Sequence, residues 1–128
     1  MFLLDENIPD DQRVKLIRWH FPLKQIGFDI GVKGMDDREH ILPMLHTLGR
    51  PTFFTSDLGF YKTKFCHHRH CVVVLRTPSD EAAEYIRRFL KHADFNTHNK
   101  RLGWVLEVHK TIIKGIRVGK TNELKFTW

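Results

Sequence analysis

The stretch CVVVLRTPSDEAAEYIRRFL, residues 71–90, holds a strand and the opening of a helix almost back to back. Cys71–Leu75 is the most strand-like run in the chain, five apolar residues of which three are β-branched, and it has the length of a fully buried strand. Thr77-Pro78-Ser79-Asp80 follows as a helix start, with Thr77 expected as N-cap, Pro78 at the first helical position and Asp80 at the third. Ala83, Ile86, Phe89 and Leu90 then recur at helical spacing as a buried face.

The same alternation recurs along the rest of the chain. Phe2–Leu4 reads as a short buried strand. Pro9, Asp10 and Asp11 open a helix with Val14, Ile17 and Phe21 on one face, ended by Pro22. Residues 26–32 fit a second strand. Residues 36–48 look helical, with Ile41, Leu42, Leu45 and Leu48 on one side and Gly49 as the stop. Pro43 is awkward there, because a proline inside a helix costs about 3 kcal/mol. The regular helix is therefore expected to start late, leaving residues 36–39 in or just before its first turn. Residues 51–55 (PTFFT) form a third strand closed by Ser56 and Asp57. Three strand–helix pairs predict an α/β fold, a three-layer α/β/α sandwich around a mostly parallel sheet. Beyond residue 94, Trp104, Leu106 and Val108 alternate, as do Leu124, Phe126 and Trp128. They predict two or three antiparallel strands added to the core. The chain thus reads as one domain over 1–128, with a core of about 1–93 and a strand-rich extension of about 94–128.

The composition, 41% hydrophobic and 28% charged over 128 residues, is that of a globular protein and argues against disorder. MFLLDEN is too short and too acidic for a signal peptide, and no apolar run approaches membrane length. The expected location is the cytoplasm, with Cys66 and Cys71 as free thiols. The net charge of +6 is uneven: residues 1–57 carry nine acids and seven bases, residues 58–128 six acids and fourteen bases. Such asymmetry fits either a polyanionic partner or simple solubility.

In an open parallel sheet, ligands bind beyond the carboxyl ends of the strands. The acids gather there: Asp5 and Glu6 after the first strand, Asp57 after the third, and Asp36, Asp37 and Glu39 at the start of the second helix. Several carboxylates on one rim repel one another, and a divalent cation resolves the repulsion. Hard oxygen donors suit Mg2+ or Mn2+, which can activate a water and stabilise charge developing on a phosphate. Asn7 is placed to orient a carboxylate or a bound water. The plain alternative for each acid is an exposed loop residue or a helix cap. That alternative is weakest for Asp5 and Asp57, which each close an apolar run at the same sheet edge.

FLLDENIP, then DDREHI, then GRPTFFTSDLGF resemble the PIN-like nucleases, a branch of the PIN-domain ribonucleases. Members typically begin with a leucine-rich strand and Asp-Glu-Asn-hydrophobic-Pro. They continue with an acidic segment opening a helix, then Gly-Arg, an apolar strand and Thr-x-Asp-x-Asp-Phe. The resemblance covers about the first 75 residues. It implies a PIN-like fold and a metal-dependent endoribonuclease that cleaves RNA phosphodiester bonds, often the toxin of a toxin–antitoxin pair. Carried over by position, Asp5, Asp37 and Asp57 become metal ligands for Mg2+ or Mn2+, with Glu39 or Asp36 as alternatives to Asp37 and Glu6 as a supporting acid. Asn7 and a basic loop carrying Lys62, Lys64 and Arg69 would hold the RNA backbone. RNA is the expected partner, with a cognate antitoxin protein and a homodimer left open and no membrane partner. The sequence departs from the motif at Gly59, where the family has its second Asp. Either Glu6 compensates, or the chain is a PIN-like RNA- or protein-binding module with little or no cleavage.

Three further patterns stand beside this reading. CHHRHC, residues 66–71, offers zinc donors in Cys66, His67, His68, His70 and Cys71, yet six residues rarely wrap a tetrahedral ion unaided; the loop also reads as a basic element near a phosphate, or as plain surface. Lys110, Lys114, Arg117, Lys120 and Lys125, interleaved with Trp104, Phe126 and Trp128, fit nucleic-acid contact less well than a sheet with its apolar face in the core. Finally, paired acids after one strand, Asp57 after another, then Thr77 and Lys110 fit a phospho-accepting receiver domain by fold-level analogy. The strand-rich tail argues against it, because a receiver needs a final helix.

Overall fold

Consecutive residues of the central strands are buried, so the sheet they form is covered on both faces. The computed structural model describes residues 1–32 and 38–128; Asp36 and Asp37 lie outside the described residues. The elements run β1 (Phe2–Leu4), α1 (Asp10–Arg18), β2 (Leu23–Gln25), α2 (Arg38–Thr47), β3 (Thr52–Thr55), β4 (Cys71–Leu75), α3 (Ala82–Leu90), α4 (His98–Arg101), β5 (Trp104–Val108), β6 (Ile112–Arg117) and β7 (Leu124–Thr127). The sheet order is β2-β1-β3-β4-β5-β6-β7. β2, β1, β3, β4 and β5 are mutually parallel, while β6 and β7 are antiparallel to their neighbours. The chain is therefore α/β with an open, mostly parallel sheet.

Side chains of alternating parity feed two cores. Leu4, Phe54, Val73, Leu75 and Leu106 pack with Leu16 of α1 and with Ala83, Ile86 and Phe89 of α3. Leu3, Phe53, Val72, Val74 and Val105 pack with Ile41 and Leu45 of α2 and with Phe60 and Phe65 of the loop that follows β3. Trp104 and Phe126 meet Phe95 edge to face, so the aromatics of the tail extend the first core.

Several boundaries differ from the sequence expectations, each for a physical reason. The second strand lies at Leu23–Gln25, ahead of residues 26–32. Gly27 and Gly31 take positive φ values of 80° and 69°, and the Gly27 amide donates to the Ile30 carbonyl, which turns the alternating run Ile26, Phe28, Ile30 into a loop. In α1 the buried positions are Gln12 and Leu16, and Ile17 is exposed. A polar Gln12 faces inward because its Oε1 accepts from the Ala83 amide at 2.9 Å, capping α3 from a neighbouring helix. Thr77 accordingly does not cap α3; the regular helix begins at Ala82 after a 3-10 turn at Ser79–Glu81. α2, by contrast, starts at Arg38 with Glu39 in its first turn, as expected, and it carries Pro43 in its interior. β5, expected as an antiparallel addition, is the fifth parallel strand; antiparallel pairing starts with β6.

The cap from Gln12 yields a direct expectation. Gln12→Ala leaves the Ala83 amide buried without an acceptor and should cost about 1–3 kcal/mol. The urea midpoint of the variant measures this, and an unchanged midpoint would show that the amide finds another partner.

Candidate functional site

In the order β2-β1-β3 the chain leaves β1 to one side for β2 and returns to the other for β3. The carboxyl ends of β1 and β3 are thus the switch point at which open sheets bind ligands. Asp5 and Asp57 emerge there. The Asp5 amide still pairs with the Phe54 carbonyl at 2.9 Å, so the β1–β3 ladder carries the residue to the rim in fixed register.

Thr55, the last residue of β3, joins the two acids. Its hydroxyl donates to Asp5 Oδ2 at 2.7 Å and accepts from the Asp57 amide at 3.0 Å. Asp5 Oδ1 accepts from the Glu6 amide at 2.8 Å. Asn7 closes the other side: its Oδ1 accepts from the Ser56 amide at 3.2 Å and its Nδ2 reaches Thr55 Oγ1 at 3.5 Å. Gln25 at the end of β2 supports the turn, its Nε2 donating to the carbonyls of Asp5 and Ile8. Asp5 is only 3% exposed. Burial raises its carboxyl above the usual value, with the nearby charges of Asp57 and Glu6 adding to the effect and the Thr55 and Glu6 hydrogen bonds opposing it.

Asp57 has a different environment. Its Oδ1 accepts from the Gly59 amide at 3.0 Å and from an Arg38 guanidinium nitrogen at 2.8 Å. Partial burial works against its charge, but Arg38, the Gly59 amide and Lys62 together outweigh that and hold the carboxyl below its ordinary value. Two carboxylates on one rim are thus driven in opposite directions, one toward the neutral form and one toward the charged form.

Gly59 explains how Arg38 reaches this position. A Cβ at residue 59 would overlap the Arg38 guanidinium, so the arginine lies in space that any side chain there would occupy. At the position where the PIN-like motif has a second acid, this chain places the cation of a neighbouring helix.

The remaining expected site residues divide. Glu6 follows Asp5 at the rim, and Lys62 is near enough to Asp57 to favour its charge. Glu39 and Lys64 pair with each other at 2.8 Å, both largely exposed. Asp37, the third expected metal ligand, is outside the described residues, as is Asp36. Arg69 lies at the opposite edge of the sheet, because it shortly precedes Cys71, which pairs with Thr52 at the start of β3. Among the described residues no three carboxylates bring their ligand atoms together; the group that does is His46, His67 and His70, within 4.8 Å of one another.

Thr55, Arg38 and His46 are the participants that sequence reasoning missed. The threonine closing the apolar run PTFFT was a signal for the first, and the arginine inside DDREHI for the second. His46 had none, since its partners are about twenty residues away.

Comparison with family models, with curated proteins and with solved structures finds no match for this chain.

The cysteines of CHHRHC separate from its histidines. Cys71 is fully buried in β4, and the Cys66 thiol donates to the Ile116 carbonyl at 3.5 Å. Burial raises both thiols, so neither is prepared as a thiolate ligand. Burial likewise pushes His70 down to about 4, leaving it a neutral imidazole.

Proposed function

We propose that this chain is a PIN-like phosphodiesterase acting on RNA, a three-layer α/β/α domain whose site is the Asp5–Thr55–Asp57 rim. The observation that carries the reading is the pair of carboxylates at the β1/β3 switch point, joined through Thr55 and driven toward opposite protonation states. Mg2+ or Mn2+ fits the donor chemistry: Asp5, Asp57, the Thr55 hydroxyl and the Asn7 carbonyl are hard oxygens, and such ions are commonly held by one or two carboxylates and waters. Bound there, the ion would supply an activated water and neutralise the phosphate. Asp5 and Asp57 would hold it, Thr55 would fix the angle between them, and Lys62 would attract the backbone. Arg38 competes with the ion for the Asp57 carboxylate, and phosphate is the natural acceptor for a released guanidinium. The toxin role, an antitoxin and a homodimer remain proposals that follow the family resemblance.

The decisive test incubates the protein with single-stranded and structured RNA plus Mn2+ or EDTA. Cleavage with Mn2+ and none with EDTA supports the reading; no cleavage with any divalent ion sinks it.

A second reading, a PIN-like RNA-binding module, is favoured by Arg38 lying in the space beside Gly59. It predicts RNA binding that persists in EDTA and weakens when Lys62 is removed. Arg38→Ala separates the two. The pair is partly exposed, so its loss should cost under about 1 kcal/mol of stability. On the nuclease reading it raises Mn2+ affinity about tenfold, a difference near 1.4 kcal/mol. Isothermal titration with Mn2+ reads this directly, and an unchanged affinity favours the binding module.

A further inference from the structure

We propose that His46, His67 and His70 form a binding site for a borderline transition-metal ion, zinc foremost, at the amino-terminal edge of the sheet. The three side chains come from two separate parts of the chain. His46 is in the last turn of α2, and His67 and His70 belong to the loop entering β4. Each offers a ligand atom within 4.8 Å of the other two. This edge is opposite the Asp5–Asp57 rim, so the site is distinct from the one described above.

His70 carries the argument. Its side chain is fully buried, and its Nε2 lies 2.7 Å from the Phe65 carbonyl. A carbonyl only accepts, so Nε2 bears the proton and Nδ1 presents a lone pair. That Nδ1 is buried and has no hydrogen-bond partner. A buried acceptor left unpaired is costly, and a cation answers it. The carbonyl on the far nitrogen is also the support that metal-bound histidines habitually have, fixing the tautomer and the ring plane.

The other two rings have the freedom the site needs. Zn–N bonds of about 2.0–2.1 Å in a tetrahedron place nitrogens about 3.4 Å apart, so the widest pair must close by up to about 1.4 Å. His46 is exposed and His67 half-buried, so these two move toward a fixed His70. His67 Nδ1 now accepts from the Arg69 amide at 3.1 Å. Binding gives up that bond: a metal at Nδ1 replaces the amide, and a metal at Nε2 sends the ring proton to Nδ1. Three imidazoles with no carboxylate among them favour zinc, copper or nickel over the hard ions suited to the opposite rim. The three rings lie close together, His46 tilted against His67 and each stacked on His70, at centroid distances of 4.4 to 5.5 Å.

The test uses the untagged chain, stripped with EDTA, dialysed and titrated with Zn2+ alone. One zinc per chain, a melting temperature that rises with free zinc, and visible tetrahedral absorption on Co2+ substitution are expected. His46→Ala, at an exposed position that should not disturb folding, should weaken binding by more than the roughly 10- to 100-fold typical of supporting groups. Asp57→Asn should leave zinc affinity unchanged. A wild-type chain that retains no zinc, a His46→Ala variant that binds as tightly as wild type, or a loss that follows Cys66→Ser instead would each overturn the site.

Discussion

Asp5→Asn should lower the Mn2+-dependent RNA cleavage proposed above by at least about 100-fold, the scale on which removing one preorganised charged or polar group from a reaction centre is felt. Fold and backbone should survive, since the asparagine is the same size and can keep either the Glu6 amide or the Thr55 hydroxyl as a partner. The pH dependence of stability distinguishes this from simple damage. Burial raises the folded-state value of Asp5 above the unfolded one. A group shifted in that direction contributes most below its unfolded value, and its contribution is lost as pH rises through the folded value. The stability difference between variant and wild type should therefore move in favour of the variant from about pH 4 upward and level off once Asp5 is ionised in the native protein. Parallel urea titrations at pH 3.5 and 7 check this. Cleavage that survives the substitution removes Asp5 from the site, and a flat stability difference would show that its carboxyl is not held in a desolvated position.

Phe54→Ala should cost about 3–5 kcal/mol, a large share of the 5–15 kcal/mol that holds a domain of this size. Phe54 is fully buried in β3, the middle one of the five parallel strands, its ring at 6.0 Å from Phe89 of α3 and 6.3 Å from Phe2. Truncation leaves a cavity bounded by two aromatic rings that cannot both close on it. The same residue's carbonyl receives the Asp5 amide, so sagging of the core at this point reaches the rim. A urea midpoint shift equivalent to less than about 1 kcal/mol would mean that Phe2 or Phe89 refills the space. The control is Leu124→Ala on β7, whose half-exposed side chain should change stability by under about 0.5 kcal/mol.

The contrast between these two sites marks what a sequence can carry. CVVVL and PTFFT could be assigned because a strand covered on both faces needs uninterrupted apolar residues, and helical spacing of Ala83, Ile86 and Phe89 identified the inward face of α3. Asp5 and Asp57 could be placed on one edge because strand ends follow from strand positions. Ile26, Phe28 and Ile30 misled because their period of two is a strand pattern, while the glycines at 27 and 31 enforce a turn that the pattern does not see. Gln12 was overlooked because a buried polar residue breaks an apolar stripe, and its reason, the Ala83 amide, is 71 positions away. The direction of β5 was illegible for a similar cause: alternation fixes which side chains face inward and says nothing of which neighbour supplies hydrogen bonds. Arg38 and His46 depend wholly on how α2 lies across the sheet. Its first residue meets Asp57 and its penultimate residue meets the histidine loop.

The strand order also sets how the chain must come together. Phe2 pairs with Thr52, so the first strand to be synthesised waits for about fifty further residues before its inner neighbour exists. The β5–β6–β7 meander closes by short loops, Trp104 with Arg117 and Ile113 with Phe126. Loop-closure entropy favours the short connections, while distant pairings are slow. Assembly is therefore easiest from the carboxyl-terminal hairpins inward, opposite to the direction of translation. The Asp5–Thr55 junction, made between the two strands with the longest separation in the sheet, therefore carries the largest loop-closure cost of the strand pairings.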